Sequence, residues 1–347
     1  MCTLVSCRSL TSTGSDMTGW ESTLVQAVRG AAADRQTLRV MGHGSKTHVL
    51  GKVEADAVLD TTSVRGIVSY QPEELVVTVR AGTPLAELNA ALLERGQCLG
   101  FSPPMIEGRG TVGGALASGL SGPARPWWGA ARDAVLGVTL INGMGELLSF
   151  GGQVMKNVAG YDVSRLQVGA LGAFGVLARA SLRVMPLPQA DESYRSAMSA
   201  EDAVGAMRDW CGRPLPLAGL SYHDGCLVWR LAGHREAVRS AARSLGGQPI
   251  DSAFWTQVRD YALPELARRP LWRVACAPAS EPAGEVLIDW AGAARFTTVR
   301  LQGRQSAPLG QPPALSSSSF ELAGRIKTAF DPEQIFNPGV LRADTAA

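Results

Sequence analysis

The sequence predicts an α+β protein of two domains, and three observations carry that prediction. Its 347 residues exceed what one ordinary hydrophobic core organises. Apolar residues follow helical spacing in some stretches and alternate as in strands elsewhere. One segment, Lys156 to Pro186 (KNVAGYDVSRLQVGALGAFGVLARASLRVMP), runs from a polar loop through glycines at every third position into an alternating strand.

The elements follow in order. Residues 1–16, MCTLVSCRSLTSTGSD, lack the basic start and apolar centre of a signal peptide and read as a flexible extension, with Met17 as an alternative start. Trp20 to Gly30 has helical amphipathicity, Thr37 to Met41 reads as a strand entering a glycine loop, and Ala57 to Asp60 as another short strand. Leu75 to Ala81 is a strand, Gly82-Thr83-Pro84 a turn, and Leu85 to Arg95 a helix ended by Gly96. Val176, Ala178, Ala180, Leu182 and Val184 alternate with Arg179, Ser181 and Arg183, which predicts a half-buried strand stopped by Pro186. Beyond Pro188 the glycine loops cease. Glu201 to Trp210 and His234 to Leu245 are helical, with a strand pair near Leu217 to Leu231. Ser316 to Ser319 reads as a linker before a terminal helix near Phe320 to Phe330.

Three glycine-rich stretches are the candidates for chemistry. The backbone N–H groups of Gly42-His43-Gly44-Ser45-Lys46-Thr47 suit a nest around a diphosphate, with the hydroxyls of Ser45 and Thr47 and the charge of Lys46 as further donors. In Phe101 to Gly122, FSPPMIEGRGTVGGALASGLSG, Pro103 and Pro104 stiffen the entry while the glycines leave backbone uncovered. Gly169, Gly172 and Gly175 allow close approach, either of a flat ligand or of a neighbouring element, and spacing does not choose between them. Other nucleotide motifs fit worse. Lys46 follows a serine where a Walker loop has glycine, and the glycines at 108 to 114 open no βαβ unit followed by an acidic ribose ligand.

Composition narrows the classes. A net charge of +2 with 18% charged residues, the basic ones scattered, gives no electrostatic case for nucleic acid. The uncharged run between Arg109 and Arg125 is broken by glycine and Pro123 and is shorter than the roughly 20 residues of a spanning helix, so no direct membrane insertion is expected. The six cysteines contain no C-x-x-C, so no metal site is expected, and reduced thiols in the cytoplasm are the default.

The ordered segments MGHGSK, ELVVTVRAGTPLAELNAALLERG, GRGTVGGALASGLSG, KNVAGYDVSRLQVGALGAFGVLARASLRVMP and FDPEQIFNPGVL resemble those of the FAD-linked oxidases of the vanillyl-alcohol oxidase type, with their PCMH-type FAD-binding domain. Within that family the likeness is to the FAD-binding subunits of bacterial glycolate oxidases. It covers about Leu24 to Pro188 and the tail from Ile326 to Leu341, and five motifs in order are specific where each alone is weak. The resemblance implies a two-lobed PCMH-type FAD-binding domain at 17–189, a short α/β cap or substrate-side domain at 190–315, and a linker and C-terminal segment at 316–347 that returns to the FAD domain.

What the resemblance implies for the site is noncovalent FAD. It assigns the diphosphate to Gly42, Gly44, Ser45, Lys46 and Thr47, and diphosphate and flavin-side contacts to Pro104, Gly110, Thr111, Gly113, Gly114 and Ser118. Gly175, Val176 and Leu177 come near the adenine end, and Asn157, Gly160 and Asp162 border the cofactor. Some relatives attach flavin through a histidine directly before the serine of a G-G-H-S loop. Here Gly44 separates His43 from Ser45, so His43 is expected as a loop residue near the phosphates or solvent.

The base for a hydroxy-acid oxidation is not identified. The histidines are His43, His48, His223 and His234, and the histidine-rich metal-binding segment of catalytically complete relatives has no counterpart. His223 beside Asp224 reads as a base or, more simply, as the start of an Asp224-Gly225 hairpin turn. By resemblance the chain is an FAD-dependent oxidoreductase subunit, paired with a catalytic flavoprotein that oxidises glycolate to glyoxylate and with an iron–sulfur subunit. Any membrane association then arises through partners. A stand-alone 2-hydroxy-acid oxidase and a flavin-free scaffold are the other readings. Trp127 and Trp128, near Arg125 and Arg132, suit either a partner interface or packing beneath the flavin loop.

Overall fold

The structure, a computed structural model, describes residues 19–152, 162–268, 270–300 and 305–344. The first half runs α1 (Gly19–Ala33), β1 (Leu38–Met41), α2 (Thr47–Leu50), β2 (Ala57–Asp60), β3 (Ile67–Gln71), β4 (Val76–Arg80), α3 (Leu85–Leu93), β5 (Gln97–Cys98), α4 (Val112–Ser118), α5 (Arg125–Trp128), α6 (Ala131–Ala134), β6 (Val135–Ile141), β7 (Leu147–Gly151), α7 (Val163–Leu166), β8 (Val176–Arg183) and β9 (Met185–Pro186). The second half runs β10 (Ala190–Ala197), α8 (Ala200–Cys211), β11 (Leu217–His223), β12 (Cys226–Gly233), α9 (Arg235–Leu245), β13 (Gln248–Pro249), α10 (Ala253–Arg259), β14 (Trp272–Ala275), β15 (Leu287–Asp289), β16 (Ala294–Thr297), β17 (Gln305–Pro308) and α11 (Ser317–Phe330).

A five-stranded antiparallel sheet, β3-β4-β8-β6-β7, is the backbone of the first half. Leu140 and Leu177 enter one core with Leu85, Leu88, Leu92 and Leu116 of α3 and α4. Their neighbours Ile141 and Val176 enter another with Leu24, Val25 and Val28 of α1 and with Phe336. Because the sheet is covered on both faces, β8 is buried along most of its length, not half-buried as its alternation suggests. Arg179 on β8 is tolerated because it forms a charge-assisted pair with Glu21 of α1, which is fully buried. The strand ends at Arg183, and Pro186 lies in the small β5–β9 ladder rather than capping β8.

β1 and β2 pair in parallel, and the tail adds a third parallel contact through Phe336 beside Leu38. Asp331 holds that tail. Its carboxylate accepts from Lys327 Nζ at 2.6 Å and from the amides of Ile335 and Phe336 at 3.1 and 2.8 Å. The serine run is no linker. Ser316 caps α11 by accepting from the Ser319 amide, and Ser317 to Ser319 form its first turn.

The second half is built on an eight-stranded sheet, β13-β10-β12-β11-β15-β16-β14-β17, with Trp229, Met207 and Val238 central to its larger core. Asp224 and Gly225 have φ of 48° and 70°, which makes the β11–β12 connection a two-residue hairpin with both central residues left-handed. The two lobes meet where Trp290 Nε1 donates to Gly122 O (3.1 Å), the Met105 amide to Asp260 Oδ1 (2.7 Å) and the Gly310 amide to Val49 O (2.9 Å). Among the described residues no helix is long and apolar enough to cross a membrane.

Candidate functional site

The first glycine loop lines an open cleft of about 780 Å³. Its course is set by two glycines. A side chain at Gly42 would start 2.4 Å from Thr111 Oγ1, and Gly44 has φ +64°. The loop then winds into the single turn of α2, where Thr47 Oγ1 donates to Gly44 O (2.8 Å). The amides of Gly42, His43, Gly44, Ser45 and Lys46 take no acceptor among the described residues.

Side chains add to this row of donors. Ser45 and Lys46 are buried, yet the Lys46 amine has neither a hydrogen-bond acceptor nor an ion-pair partner among the described residues. Burial pushes its pKa down to about 8, against the pull of the Asp260 charge. Asp260 is itself engaged by Arg259 (2.7 Å) and the Met105 amide. Arg39, on the cleft wall, has a buried Nε with no acceptor. Backbone N–H groups and an ammonium without acceptors, with a guanidinium whose Nε is free while its Nη2 reaches only the Met41 thioether (3.5 Å), form the donor set of a dianion such as a diphosphate, and so fit a dinucleotide cofactor there.

His43 joins the two loops. Its Nδ1 accepts from the Gly110 amide at 3.1 Å, so in this arrangement the ring proton sits on Nε2. Of the second loop, Thr111, Gly114 and Ser118 line the cleft. Thr111 Oγ1 caps α4 by accepting from the Gly114 amide (3.1 Å), and Ser118 Oγ donates to Ala115 O (2.9 Å). Pro104, Gly110 and Gly113 do not reach the cleft lining. The Gly113 amide donates to Ala81 O, and a side chain there would start 2.8 Å from Ala81 Cβ, so this glycine serves packing of α4 against the end of β4.

The spaced glycines are likewise structural. Gly169, Gly172 and Gly175 have φ of 83°, 72° and 149°. The Gly169 and Leu171 amides donate to Leu116 O and Ala117 O, fastening this turn to α4 and bringing Leu171 to the cleft. Gly175, Val176 and Leu177 lie away from it, because Gly175 abuts Ile141 O while Val176 and Leu177 point into the two cores of the central sheet. Asp162 caps α7 through the Arg165 amide and stands outside the cleft. Asn157 and Gly160 fall outside the described residues.

Asn337 escaped the sequence reading although it lies in FDPEQIFNPGVL. Its Oδ1 accepts from the Val40 amide (2.8 Å) and its Nδ2 donates to Leu171 O (2.6 Å), so it ties β1 to the glycine turn at the cleft floor. Arg39, Lys52 and Val340 were missed as well. His223 stands apart from the cleft. Its Nε2 lies 3.2 Å from Glu265 Oε2, and Asp224 is a turn residue. Trp127 and Trp128 are half-buried at the seam between the lobes. Trp127 packs on the core of the second sheet, and Arg230 stands over the Trp128 ring at 5.2 Å.

Comparison with known proteins agrees with this geometry. Residues 19–151 match the family model described as FAD binding domain. The chain is 40% identical over 344 residues to the glycolate oxidase subunit GlcE of Escherichia coli (strain K12), covering 94% of this chain and 98% of that one. It is 28% identical over 169 residues to the glycolate oxidase subunit GlcD of Bacillus subtilis (strain 168), covering 47% of this chain and 35% of that protein. Against the D-lactate dehydrogenase of Anaerostipes hadrus the identity is 28% over 42% of this chain, which spans 31% of the relative's length. The solved structure of alkyldihydroxyacetonephosphate synthase superposes over 91% of this chain and 74% of its own with a TM-score of 0.63 at 15% identity, a likeness of fold.

Proposed function

Because this chain belongs to the family of FAD-linked glycolate oxidase subunits, we propose that it is the FAD-binding subunit of a glycolate oxidase complex, supporting oxidation of glycolate to glyoxylate. FAD, when bound, supplies an isoalloxazine that takes up electrons. The chain's own part is to bind and orient it. The free amides of Gly42 to Lys46, with Ser45, Lys46 and Arg39, take the diphosphate, Thr47 holds the loop by donating to Gly44 O, and Thr111, Gly114, Ser118 and Asn337 complete the lining. The observation that carries the reading is this set of cleft-lining donors without acceptors, in a chain related over 94% of its length to a glycolate oxidase subunit.

Substrate oxidation itself belongs to a partner. No carboxylate lines the cleft among the described residues, and its one histidine, His43, has Nδ1 committed to Gly110. The partners we assign are a catalytic flavoprotein subunit and an iron–sulfur subunit, in the cytoplasm, with any membrane contact made through them. Residues 17–189 with the tail then form the FAD-binding part, and 190–315 a short cap.

The visible spectrum of the purified chain under anaerobic conditions tests this. Flavin bands that persist after addition of glycolate, and a flavin that leaves the polypeptide on denaturation, are the expected result. Bleaching by glycolate would make the chain an oxidase in its own right.

A further inference from the structure

A second set of unpaired positive charges lies at the seam between the lobes. Trp290 is fixed there by the bond from Nε1 to Gly122 O. The guanidinium of Arg125, from α5, lies 4.4 Å from its ring centroid, and that of Arg273, from β14, lies 4.6 Å from it. Each gains cation–π attraction from the indole, but two cations sharing one ring repel. Burial, then Arg273, then Arg132, depress the Arg125 pKa, with Asp133 opposing.

Neither guanidinium has a hydrogen-bond acceptor or an ion-pair partner among the described residues. The nearby carboxylates hydrogen-bond other donors, although the Asp133 charge also acts on Arg125. Asp133 accepts from the Ala130 amide (2.8 Å), and Asp289 accepts the Ser221 hydroxyl (2.6 Å). A cavity of about 950 Å³, open to solvent, is bounded by Arg125 and the Asp133 carboxylate of the first lobe and by Arg208, Cys211 and Trp290 of the second. The backbone that presents the indole is strained, since Trp290 and Ala291 in succession both have φ of 52°. Such conformations persist in non-glycine residues only where the surroundings impose them, and they collect at binding sites.

We propose that this seam is a binding site for a small oxyanion, a carboxylate or a phosphate. The anion accepts from the Arg125 guanidinium, Arg273 on the same indole adds to the positive potential, and Arg208 lines the cavity. Because Arg125 comes from one lobe and Trp290 and Arg208 from the other, an occupied site holds the lobes together.

Thermal unfolding of the FAD-loaded full-length chain tests the site. Inorganic phosphate and glyoxylate are titrated separately in a low-salt zwitterionic buffer, against sodium chloride at matched ionic strength. The expected result is a saturable rise in Tm with one or both oxyanions and little with chloride, and the two arms identify which oxyanion is preferred. Arg125→Gln is expected to weaken the apparent affinity about tenfold or more, as loss of a charged hydrogen bond implies. Arg208→Gln, on the exposed face of α8, weakens it less and serves if the Arg125 variant does not fold. Equal stabilisation by chloride, no response to either oxyanion, or an unaltered response in both variants overturns the proposal.

Discussion

In the second lobe, buried charges find partners within the chain. Arg295 and Glu285, both essentially inaccessible, lie 2.9 Å apart, and Arg295 also donates to the carbonyls of Gly292, Ser280 and Glu281. Asp289, pushed up to about 6 by burial, is compensated by Ser221. In the cleft of the first lobe the opposite holds. Lys46 is as buried as Lys327 of α11, yet Lys327 donates to Asp331 and to Phe336 O at 2.6 Å each, whereas Lys46 donates to nothing among the described residues. A paired buried charge is part of the fold. An unpaired one among free amides marks where something from outside belongs.

The sharpest way to break this contrast is to remove one partner of the pair in the second lobe. Arg295→Ala takes the counter-charge from the buried Glu285 carboxylate, which keeps the Ala283 amide, and is expected to cost about 3–5 kcal/mol in chemical denaturation. A cost below about 1 kcal/mol would mean that pairing does not separate structural from functional charge.

The pH dependence of FAD binding sharpens it next. In the free chain Lys46 loses its proton near pH 8, below the ordinary value of 10.5. Between those values the unfolded chain binds more protons than the folded one. The burial penalty is therefore full below pH 8 and is relieved as pH rises through the window. FAD binding runs the other way, because a diphosphate favours the charged amine. Its affinity should fall above pH 8 by up to about tenfold per pH unit, and Lys46→Arg should flatten that fall. Fluorescence titration of FAD from pH 7 to 9.5 reads both.

Smaller effects are expected at the cleft floor and rim. Asn337→Ala leaves the Val40 amide and Leu171 carbonyl without partners and places alanine at φ of 42°, so a loss of about 1–3 kcal/mol in stability and weaker FAD binding should appear together. His43→Ala removes one contact to Gly110, expected to cost about 1 kcal/mol. Flavin is released on denaturation from wild type and variant alike if His43 is no attachment point, and acid precipitation followed by absorbance of the pellet checks this.

Much of the first lobe was legible because its signals are local. α1, β1, β2, β4 and α3 follow apolar periodicity and glycine or proline boundaries, and in the second lobe the Asp224-Gly225 turn follows from the left-handed backbone those residues accept. What was not legible depends on distant segments. The burial of β8 on both faces comes from α3 and α4 on one side and from α1 and the tail on the other, and Asn337 meets Val40 across 297 positions. Glycine shows that something comes close without saying what. At Gly113 the neighbour is Ala81, and at Gly175 it is Ile141, where the resemblance had suggested a cofactor. The strands β14 to β17 carried too little alternation to be read, and their sheet is set by pairing with β11 through β15.

The central claim is that the donors left unpaired in the cleft are those that hold the cofactor. Titration of FAD into the purified wild-type chain and Lys46→Met at pH 7, followed by flavin fluorescence, tests it most directly. One equivalent bound by the wild type, an affinity at least about tenfold weaker in the variant, and a denaturation midpoint no lower in the variant is the predicted result. Equal affinity in the two chains would contradict the claim.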